Sequence, residues 1–471
     1  MTSAKNDLKG LLWRSSSWTI TFVVGLGIAV DLLVYSVVIP VMPFQLERLG
    51  FSNVAARTGW LLFAYATTIP IAMISERYKA RQIPLILGLV ILIASQVVLM
   101  EAHNFAVMCV ARVLQGLGSS MVWVVGLALL CDSSPPSIIG LQIGLAMCGL
   151  SVGLAIGPPA GGLLYTHYGY RGPFIFGIAA SVLDLLGRLI IIERKTALLY
   201  GVDPAADSRT VSTTRSNATV TDYDDNSSGE GSGTNIQESS KELTILPSGP
   251  SKSLSLFVVI ARLSKSPRAL VSLLIILIYG IVYSGQEPTI PLHLQQTWNL
   301  NSRAVGLVFI AAVVPTLFSS PLAGYLADRR GTEWITVSAL LLALPWWIII
   351  TIQGPLALFI SAFAIESFFT SAIISPVTAE LAAVSRGMEG VGYGHVYGAF
   401  NFVYGIGTSV GPIIGGQIYD HVGRGWLVLC VLAMSLLALS LLLAFCFIGG
   451  NPLIKRLRRR LQITSLHDHT S

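Results

Sequence analysis

Long apolar runs, separated by short polar segments, occupy most of this chain of 471 residues. Twelve of these runs approach or exceed about 20 residues, the length that an α-helix needs to cross the hydrocarbon core of a bilayer. We predict membrane-spanning helices at residues 18–40, 56–75, 83–100, 105–130, 138–164, 174–192, 269–292, 304–327, 334–352, 356–380, 394–418 and 425–448. The pattern therefore indicates an all-α membrane protein with twelve transmembrane helices.

Composition agrees with this class and excludes others. Charged residues make up 11% of the chain and hydrophobic residues 53%, with a mean hydropathy of +0.70. A soluble domain carries about 25% charged residues, so a soluble globular protein is excluded. The five cysteines lack metal-ligand spacing, and the sequence contains no nucleotide-binding loop or catalytic triad. We expect no enzyme activity, no cofactor, no metal and no nucleic-acid partner.

Lys and Arg residues set the predicted orientation, because cytosolic loops are enriched in them. The side that carries both termini receives nineteen of them, whereas the opposite side receives five. We therefore place both termini in the cytosol. The basic pI of about 9.1 reflects these anchors. We expect a multi-pass protein of the plasma membrane, with a vacuolar or vesicular membrane as the alternative.

One long polar segment divides the chain into two halves. Residues 196–255 are rich in Ser, Thr, Asp and Gly and cannot bury a core. The predicted organisation is a cytosolic tail at 1–17, a six-helix bundle at 18–195, a disordered cytosolic linker at 196–255, a second six-helix bundle at 256–450 and a basic cytosolic tail at 451–471.

A glycine-proline run occurs once in each half. Residues 149–162 and 405–416 align at an offset of 254, and Asp132 at the end of span four aligns with Glu380 of span ten at an offset of 248. Glycine at every fourth position leaves one helix face without side chains, so that a neighbouring helix can approach closely. Two related bundles of this kind are typical of membrane transporters. The residues to which we assign this packing are Gly153, Gly157, Pro158, Gly161, Gly411, Pro412 and Gly415.

Asp31 is a carboxylate in the middle of the first span. An ionised carboxylate in hydrocarbon costs about 2.5–3.5 kcal/mol on insertion scales, so such a residue usually faces a cavity or a partner. A group in this setting can gain and lose a proton in each transport cycle. We assign Asp31 to proton coupling, and a structural hydrogen bond near a helix end is the alternative.

Three further charged residues join Asp31 as proton-coupling candidates. Glu287 ends span seven, where it either senses protons or faces water as an interfacial carboxylate. Arg112 of span four is a fixed positive charge that acts on a nearby carboxylate or an anion, unless it extends to the membrane surface and anchors its helix. Asp184 lies four residues before Arg188 in span six, a spacing that permits either a structural ion pair or proton transfer.

Polar residues at two other places complete the candidate site. One set is predicted to line a substrate cavity with hydrogen-bonding and aromatic groups, with ordinary helix packing as the alternative, and consists of Gln115, Tyr397, Asn401 and Tyr404. The other set lies at the cytosolic ends of the spans, where charged clusters either hold one conformation closed or only anchor the helices. This predicted gate consists of Glu76, Arg77, Arg81, Asp132, Gly324, Asp328, Arg329 and Glu380.

Several of these segments resemble the major facilitator superfamily. The segment Gly-Tyr-Leu-Ala-Asp-Arg-Arg-Gly at 324–331 is similar to its loop signature between spans eight and nine. Residues 112–118 are similar to the span-four signature of proton-coupled members, and 149–162 to the span-five signature of antiporters. The resemblance implies two pseudo-symmetric six-helix bundles and, within the superfamily, the twelve-span drug:proton antiporters.

A closer likeness is to the vesicular amine transporters and their fungal relatives. Residues 30–43 are similar to their first span and residues 286–291 to their seventh. The amine transporters carry a lysine in span two where this chain has Ala66, and acids in spans ten and eleven where it has Ser371 and Asn401. These departures weigh against a monoamine substrate.

The residues and the resemblance together predict a proton-coupled transporter that exports a small organic compound by alternating access. The compound would be a secondary metabolite, a toxin or a drug, and the other partners would be protons and the lipid bilayer. We expect a monomer. Two alternatives stay open: a vesicular or vacuolar transporter of an amine or organic acid, and a non-transporting membrane sensor or scaffold.

Overall fold

The computed structural model describes residues 10–66, 82–135, 138–205, 256–385, 388 and 393–459, and the regular elements in this part of the chain are helices. The helices of the first half are α1 (Leu11–Arg14), α2 (Ser17–Ser36), α3 (Met42–Arg48), α4 (Val54–Ala66), α5 (Gln82–Glu101), α6 (Phe105–Ser133), α7 (Ile139–Tyr168), α8 (Arg171–Ile190) and α9 (Arg194–Leu199). Those of the second half are α10 (Leu256–Leu263), α11 (Pro267–Gly285), α12 (Ile290–Trp298), α13 (Ser302–Arg330), α14 (Thr332–Ile349), α15 (Leu356–Ser371), α16 (Ile374–Ser385), α17 (Tyr393–His421) and α18 (Gly425–Phe447).

Each predicted span contains one or two of these helices, which confirms the all-α fold of two six-helix bundles. Among the described residues, ten helical segments are long and apolar enough to cross a membrane, and α15 with α16 counts as one of them. The other two predicted spans are those of α4, which borders residues outside the described part, and of α17.

The first and seventh spans are shorter than the hydropathy pattern predicts. The predicted spans run to residues 40 and 292, but α2 ends at Ser36 and α11 ends at Gly285. Both breaks have the same cause, a repeated Val-Tyr-Ser-x-x-x-Pro-x-x-Pro sequence at 34–43 and 282–291. Proline lacks the N–H that a continuous helix needs and disfavours helical geometry in the residue before it. At each break the chain therefore turns and restarts as a short helix.

These two short helices, α3 and α12, lie at the same end of the molecule, which we call the α3/α12 end. Gln295 of α12 donates a hydrogen bond of 2.8 Å to the Glu47 carboxylate of α3. The contact joins the two halves, because α3 belongs to the first and α12 to the second. The pseudo-symmetry of the sequence repeat is thus visible in the structure.

Apolar clusters fill the interior, and apolar side chains also cover the outside. One cluster at the α3/α12 end includes Met42 and Leu61 of the first half together with Leu292 of the second, and another includes Ile20 and Leu85 of the first half. Large apolar residues such as Phe22 and Leu442 are more than half exposed on the outer surface. A continuous apolar exterior is costly in water and is suited to lipid.

Within each half, the glycine runs bring two helices into backbone contact. A Cβ at Gly153 of α7 would collide with the carbonyl oxygen of Ala29 of α2, and one at Gly415 of α17 would collide with that of Gly285 of α11. The other predicted packing glycines of these interfaces, Gly157 and Gly161 on α2 and Gly411 on α11, make equally close approaches. Glycine is needed at these positions because any side chain would collide with the neighbouring helix.

α7 and α17 also form contacts between the halves, and for these they use a different face. Pro158 and Gly162 of α7 contact Gly306 and Ser302 of α13, and Ser302 Oγ also donates a hydrogen bond of 2.7 Å to the carbonyl oxygen of Pro40. The equivalent residues of α17, Pro412 and Gly416, contact Gly59 and Ala55 of α4. These two crossings join the halves at the α3/α12 end.

The described part of the predicted linker is ordered at its start. Residues 196–199 continue α9, and Arg194 binds Asp203 through two hydrogen bonds of 2.8 and 2.9 Å. The hydrogen bonds from Arg194 lower the pKa of the Asp203 carboxyl. Residues 206–255, which make up most of the predicted linker, lie outside the described residues.

Candidate functional site

Asp31 lies on α2 at the centre of a buried polar cluster and is 2% exposed. Its Oδ2 atom accepts hydrogen bonds from Ser119 Oγ at 2.7 Å, Trp123 Nε1 at 2.8 Å and the Tyr65 hydroxyl at 3.3 Å. Ser119 and Trp123 are four residues apart on α6 and therefore share the face that meets α2. The second carboxylate oxygen, Oδ1, is buried with no hydrogen-bond partner among the described residues.

Arg112 of α6 is fully buried, which argues against the alternative that it extends to the membrane surface. Its Nη1 donates to Gln115 Oε1 at 2.7 Å, and its Nε donates to the carbonyl oxygen of Leu61 at 3.4 Å. The guanidinium carbon lies 5.1 Å from the ring centre of Tyr65 and 5.8 Å from that of Tyr35. The positive charge is thus held against aromatic faces, which attract cations.

Tyr35 connects this cluster to the second half. Its hydroxyl donates a hydrogen bond of 2.6 Å to Glu287 Oε2, and its ring centre lies 4.9 Å from that of Tyr65. Glu287 is 6% exposed, so it is not the water-facing interfacial carboxylate that was one of the two alternatives. Asp31, Tyr65, Tyr35 and Glu287 thus follow one another across the boundary between the halves. Hydrogen bonds join Tyr65 to Asp31 and Tyr35 to Glu287, and a ring contact joins the two tyrosines.

Asp184 and Arg188 form an ion pair of 3.1 Å on α8, and both side chains are fully buried. The pair packs against Gly27 of α2, where a Cβ would collide with Arg188 Nη2. Asp184 Oδ2 and both terminal nitrogens of Arg188 have no hydrogen-bond partner among the described residues. The described geometry is that of a fully buried ion pair.

A cavity of about 60 Å³ lies between the halves beside Glu287. Its walls come from α2 and α7 on one side and from α11, α13 and α15 on the other. Tyr279, Tyr283 and Gln286 of the seventh span contribute to it together with Glu287, and Glu366 contributes from α15.

Glu366 is a buried carboxylate that is absent from the residues predicted above. Its exposure is 0%, and it accepts hydrogen bonds from Thr370 Oγ1 at 2.7 Å and Ser367 Oγ at 3.3 Å. The sequence did contain the signal, because Glu366 is a lone acid within the apolar run of α15, and acids inside spans are usually functional.

The predicted cavity residues are placed differently from expectation. Gln115 binds Arg112 and does not line this cavity, and Asn401 is exposed. The ring of Tyr404 lies 6.0 Å from that of Tyr279, behind the cavity wall. The Tyr397 side chain lies outside the part that the structure describes. The described cavity is therefore lined by α2, α7, α11, α13 and α15, and not by the described residues of α17.

The second-half gate residues also have partners other than those predicted. Glu380 is buried and is bonded to Arg268 at 2.6 Å, to the Thr332 hydroxyl at 2.7 Å and to the backbone N–H of Gly449 at 3.0 Å. Arg329 is exposed and stacks over the ring of Tyr325 at 4.4 Å. Among the described residues, the cation bonded to Glu380 is thus Arg268 at the start of α11, and Arg329 contacts Tyr325 of its own helix instead.

Three other members of the predicted gate are exposed or lie beside other elements. Asp132 is exposed, and its carbonyl oxygen accepts a hydrogen bond of 3.2 Å from Arg194. Asp328 is exposed at the end of α13, and Gly324 faces Ser375 of α16. Glu76, Arg77 and Arg81 lie outside the described residues.

Comparison with known proteins gives consistent results over most of the chain. The family model of the Major Facilitator Superfamily matches residues 24–222 and 272–462. The MFS-type transporter ppzB of Metarhizium rileyi is 25% identical over 93% of this chain and 96% of its own length. The chromaffin granule amine transporter of Rattus norvegicus is 25% identical over 79% of this chain and 60% of its own length.

Solved structures share the fold. A bacterial homologue of the human lysosomal transporter Spinster, in an inward-facing and unoccupied conformation, aligns with a TM-score of 0.67 at 16% identity, covering 91% of this chain and 96% of that one. A D-xylose-proton symporter aligns with a TM-score of 0.67 at 10% identity, covering 92% and 98%. At these identities the similarity concerns the arrangement of helices.

Proposed function

The chain belongs to the Major Facilitator Superfamily of membrane transporters and is not an enzyme, and from that premise we propose that it is a proton-coupled exporter of a small organic compound. The observation that carries the proposal is the row of Asp31, Tyr65, Tyr35 and Glu287, which has a buried carboxylate at each end and crosses the boundary between the halves. A carboxylate at each end of such a row can exchange a proton as the halves move.

The surroundings of Asp31 support its assignment as the proton carrier. Three donors converge on Oδ2 and can hold the ionised form, while Oδ1 has no partner among the described residues and is available to carry the proton. Burial of the charge is costly without a paired cation. The balance between the two conformations therefore changes with protonation, because the two conformations solvate the charge differently.

The proposed direction follows from the basic residues. They place the termini in the cytosol and the α3/α12 end on the opposite side. Since the halves meet at the α3/α12 end, this arrangement of the structure is closed on the outer side. A substrate would enter from the cytosol and leave when the halves separate at the α3/α12 end, as protons arrive from outside at Glu287 and Asp31.

The test measures gradient-driven uptake of a fluorescent probe into inside-out vesicles that contain either the native protein or the variant Asp31→Asn. The probes are ethidium and carboxyfluorescein, two fluorescent organic ions of opposite charge that cross bilayers slowly without a carrier. We expect an acidic interior to drive accumulation of one of them by the native protein, and Asp31→Asn to reduce it to the level of empty vesicles. Glu101→Gln, at an exposed ion pair with Arg171, is the control and should leave uptake unchanged.

Gradient-driven uptake by Asp31→Asn at the native level, with equal protein in the membrane, would remove Asp31 from the mechanism. No gradient-driven uptake of either probe by the native protein would contradict the exporter and favour a sensor or scaffold.

The second candidate is the loading of an amine into a vesicle or vacuole. Two observations favour it: the similarity to the chromaffin granule amine transporter, and the buried acid Glu366 in span ten. The direction relative to the cytosol is the same in both candidates, so they differ in location and substrate. A tagged protein confined to internal membranes would support this candidate over a plasma-membrane exporter.

A further inference from the structure

The cavity beside Glu287 is rich in hydrogen-bond acceptors; we call it the acidic cavity and define it by Tyr279, Tyr283, Gln286, Glu287 and Glu366. Gln286 Oε1 is buried with no hydrogen-bond partner among the described residues. A buried acceptor without a partner is costly and usually has one in the functional state. Gln286 Oε1 and the two carboxylates of the cavity therefore favour a ligand that donates hydrogen bonds.

Glu366 has no cation beside it in the cavity. The hydroxyls of Thr370 and Ser367 on its own helix donate hydrogen bonds to it, and the indole of Trp347 on α14 also lies close to its carboxylate. None of the described residues that line the cavity is Lys, Arg or His. A buried carboxylate without a counter-charge is strongly unfavourable, so a positively charged ligand would relieve this cost.

Aromatic rings form the adjoining wall. Tyr279 and Tyr283 stack with ring centres 5.9 Å apart and planes 10° from parallel, and Phe309 and Phe363 also line the cavity. Aromatic faces attract a cation and also bury an apolar body. The wall therefore suits a compound that combines a positive charge with a flat apolar part.

The other two carboxylates are already engaged by the protein. Asp31 Oδ2 receives three donors from its own half, and Glu287 receives the Tyr35 hydroxyl. Asp31 does not line the cavity, whereas Glu366 does, and none of the described hydrogen bonds to Glu366 comes from the first half. A substrate in the cavity can therefore pair with Glu366 without breaking a contact between the halves.

We propose that the acidic cavity binds the transported compound as an organic ammonium ion, with Glu366 as its counter-charge and Gln286 Oε1 as a second acceptor. This inference rests on the proposed transport function and specifies its substrate class. The cavity of about 60 Å³ is smaller than the ~300–1,000 Å³ of sites for drug-sized ligands. Binding therefore requires the halves to lie further apart around it than they do here.

The experiment measures thermal unfolding of the purified full-length protein with two matched sets of ligands. One set is 2-phenylethylamine, 2-phenylethanol and phenylacetate, and the other is tryptamine, tryptophol and indole-3-acetate, so that only the charged group changes within a set. We expect an amine to raise the unfolding midpoint, and the alcohol and the acid of the same set to raise it much less.

Glu366→Gln should then require at least about tenfold more amine for the same shift, because it removes the buried counter-charge. Glu366→Asp keeps the charge and should recover part of the affinity. Glu333→Gln is the matched control, since Glu333 is also buried but binds Arg456 away from the cavity. Comparable midpoints of the variants without ligand establish that they are folded.

Three results would overturn the inference: no shift by either amine, an equal or larger shift by the alcohols or acids, or an unchanged amine shift in Glu366→Gln. Failure of the proposed function has a different signature, namely amine binding that depends on Glu366 without any gradient-driven uptake. Asp31→Asn should separate the two, because it is expected to abolish the uptake and preserve the binding.

Discussion

At the residue scale, Tyr35 joins the two halves through a hydrogen bond between two side chains, its own hydroxyl and the Glu287 carboxylate. The Val-Tyr-Ser repeat gives each half such a tyrosine, but the two are used differently. Tyr35 donates to Glu287, whereas Tyr283 lines the acidic cavity. A duplicated residue has thus acquired a bonding role in one half and a lining role in the other.

Tyr35→Phe and Glu287→Gln should each lower the midpoint of thermal unfolding, because a hydrogen bond to a charged group contributes about 1.5–3 kcal/mol. The double variant should be nearly as stable as the worse single variant, since both changes act on the same interaction: Tyr35→Phe removes the donor, and Glu287→Gln removes the charge of the acceptor. Tyr170→Phe is the comparison, because the Tyr170 hydroxyl bonds to the carbonyl oxygen of Leu99 within one half.

Tyr170→Phe should therefore add its full effect to that of Glu287→Gln. Full additivity between Tyr35→Phe and Glu287→Gln would show that the bond across the halves makes no contribution.

The charged members of the site could be predicted from sequence, and their partners could not. One rule identifies Asp31, Arg112 and Glu287: a charged residue within an apolar span is costly to bury and is therefore usually functional. Tyr65 and Trp123 escape it because aromatic residues are ordinary in membrane helices. Their role depends on which face of α4 or α6 meets α2, and that is a property of packing.

At the element scale, the glycines of α7 and α17 allow close contact with neighbouring helices; they are not there to make the helices flexible. The α7 glycines at 149, 153, 157 and 161 all face α2. Gly144 is on the same helix, but a methyl group added there would have no neighbouring atom within 4 Å. Glycine content alone therefore does not decide which positions of the helix matter.

Gly153→Ala and Gly144→Ala test this difference within one helix. Gly153→Ala should lower the unfolding midpoint and the yield of folded protein, because its methyl group collides with the backbone of α2. Gly144→Ala should be neutral or stabilising, since alanine favours a helix over glycine by roughly 1 kcal/mol. Equal effects of the two changes, measured by thermal unfolding in detergent, would contradict the packing role.

The positions of the helices were predictable because hydropathy reports burial in lipid. The breaks at Ser36 and Gly285 were not predicted. Ser36 is followed by apolar residues, and the polar pair Gln286 and Glu287 after Gly285 is averaged with the apolar residues around it in a hydropathy window. The proline pairs that cause these breaks are present in the sequence as a repeat at an offset of 248. Their effect depends on backbone hydrogen bonding, which a hydropathy scale does not describe.

At the scale of the whole molecule, the halves are joined at the α3/α12 end by symmetric crossings with unequal polar contacts. Asp420 of α17 accepts a hydrogen bond of 2.7 Å from the backbone N–H of Ala56 in the first turn of α4. Thr166, the residue 254 positions earlier, instead bonds to the carbonyl oxygen of Gly162 on its own helix. A carboxylate near a helix N-terminus is stabilising. The α17–α4 crossing therefore has a carboxylate contact, whereas the α7–α13 crossing is accompanied by the hydrogen bond from Ser302 Oγ to the Pro40 carbonyl oxygen.

Gly162→Ala should favour opening of the α3/α12 end, because the added methyl group collides with the backbone of Ser302. The measurement is labelling of Ile39→Cys by a membrane-impermeant maleimide added from the outer side. Ile39 is 3% exposed and lines the acidic cavity, so its labelling requires opening. We expect severalfold faster labelling with Gly162→Ala than with Gly423→Ala, which meets no neighbouring atom. Unchanged labelling would contradict this role of the α7–α13 crossing.

The glycine faces between the halves have a consequence for the speed of the conformational change. Where α7 meets α13 and α17 meets α4, backbone lies against backbone at Gly162 and Gly416, so there are few side chains to interlock. Sliding or parting such surfaces requires few rotamer changes, and the exposed peptide groups keep their hydrogen bonds within each helix. Friction at these crossings should therefore be low, and the slow part of a cycle would be the transfer of charge and the release of cargo.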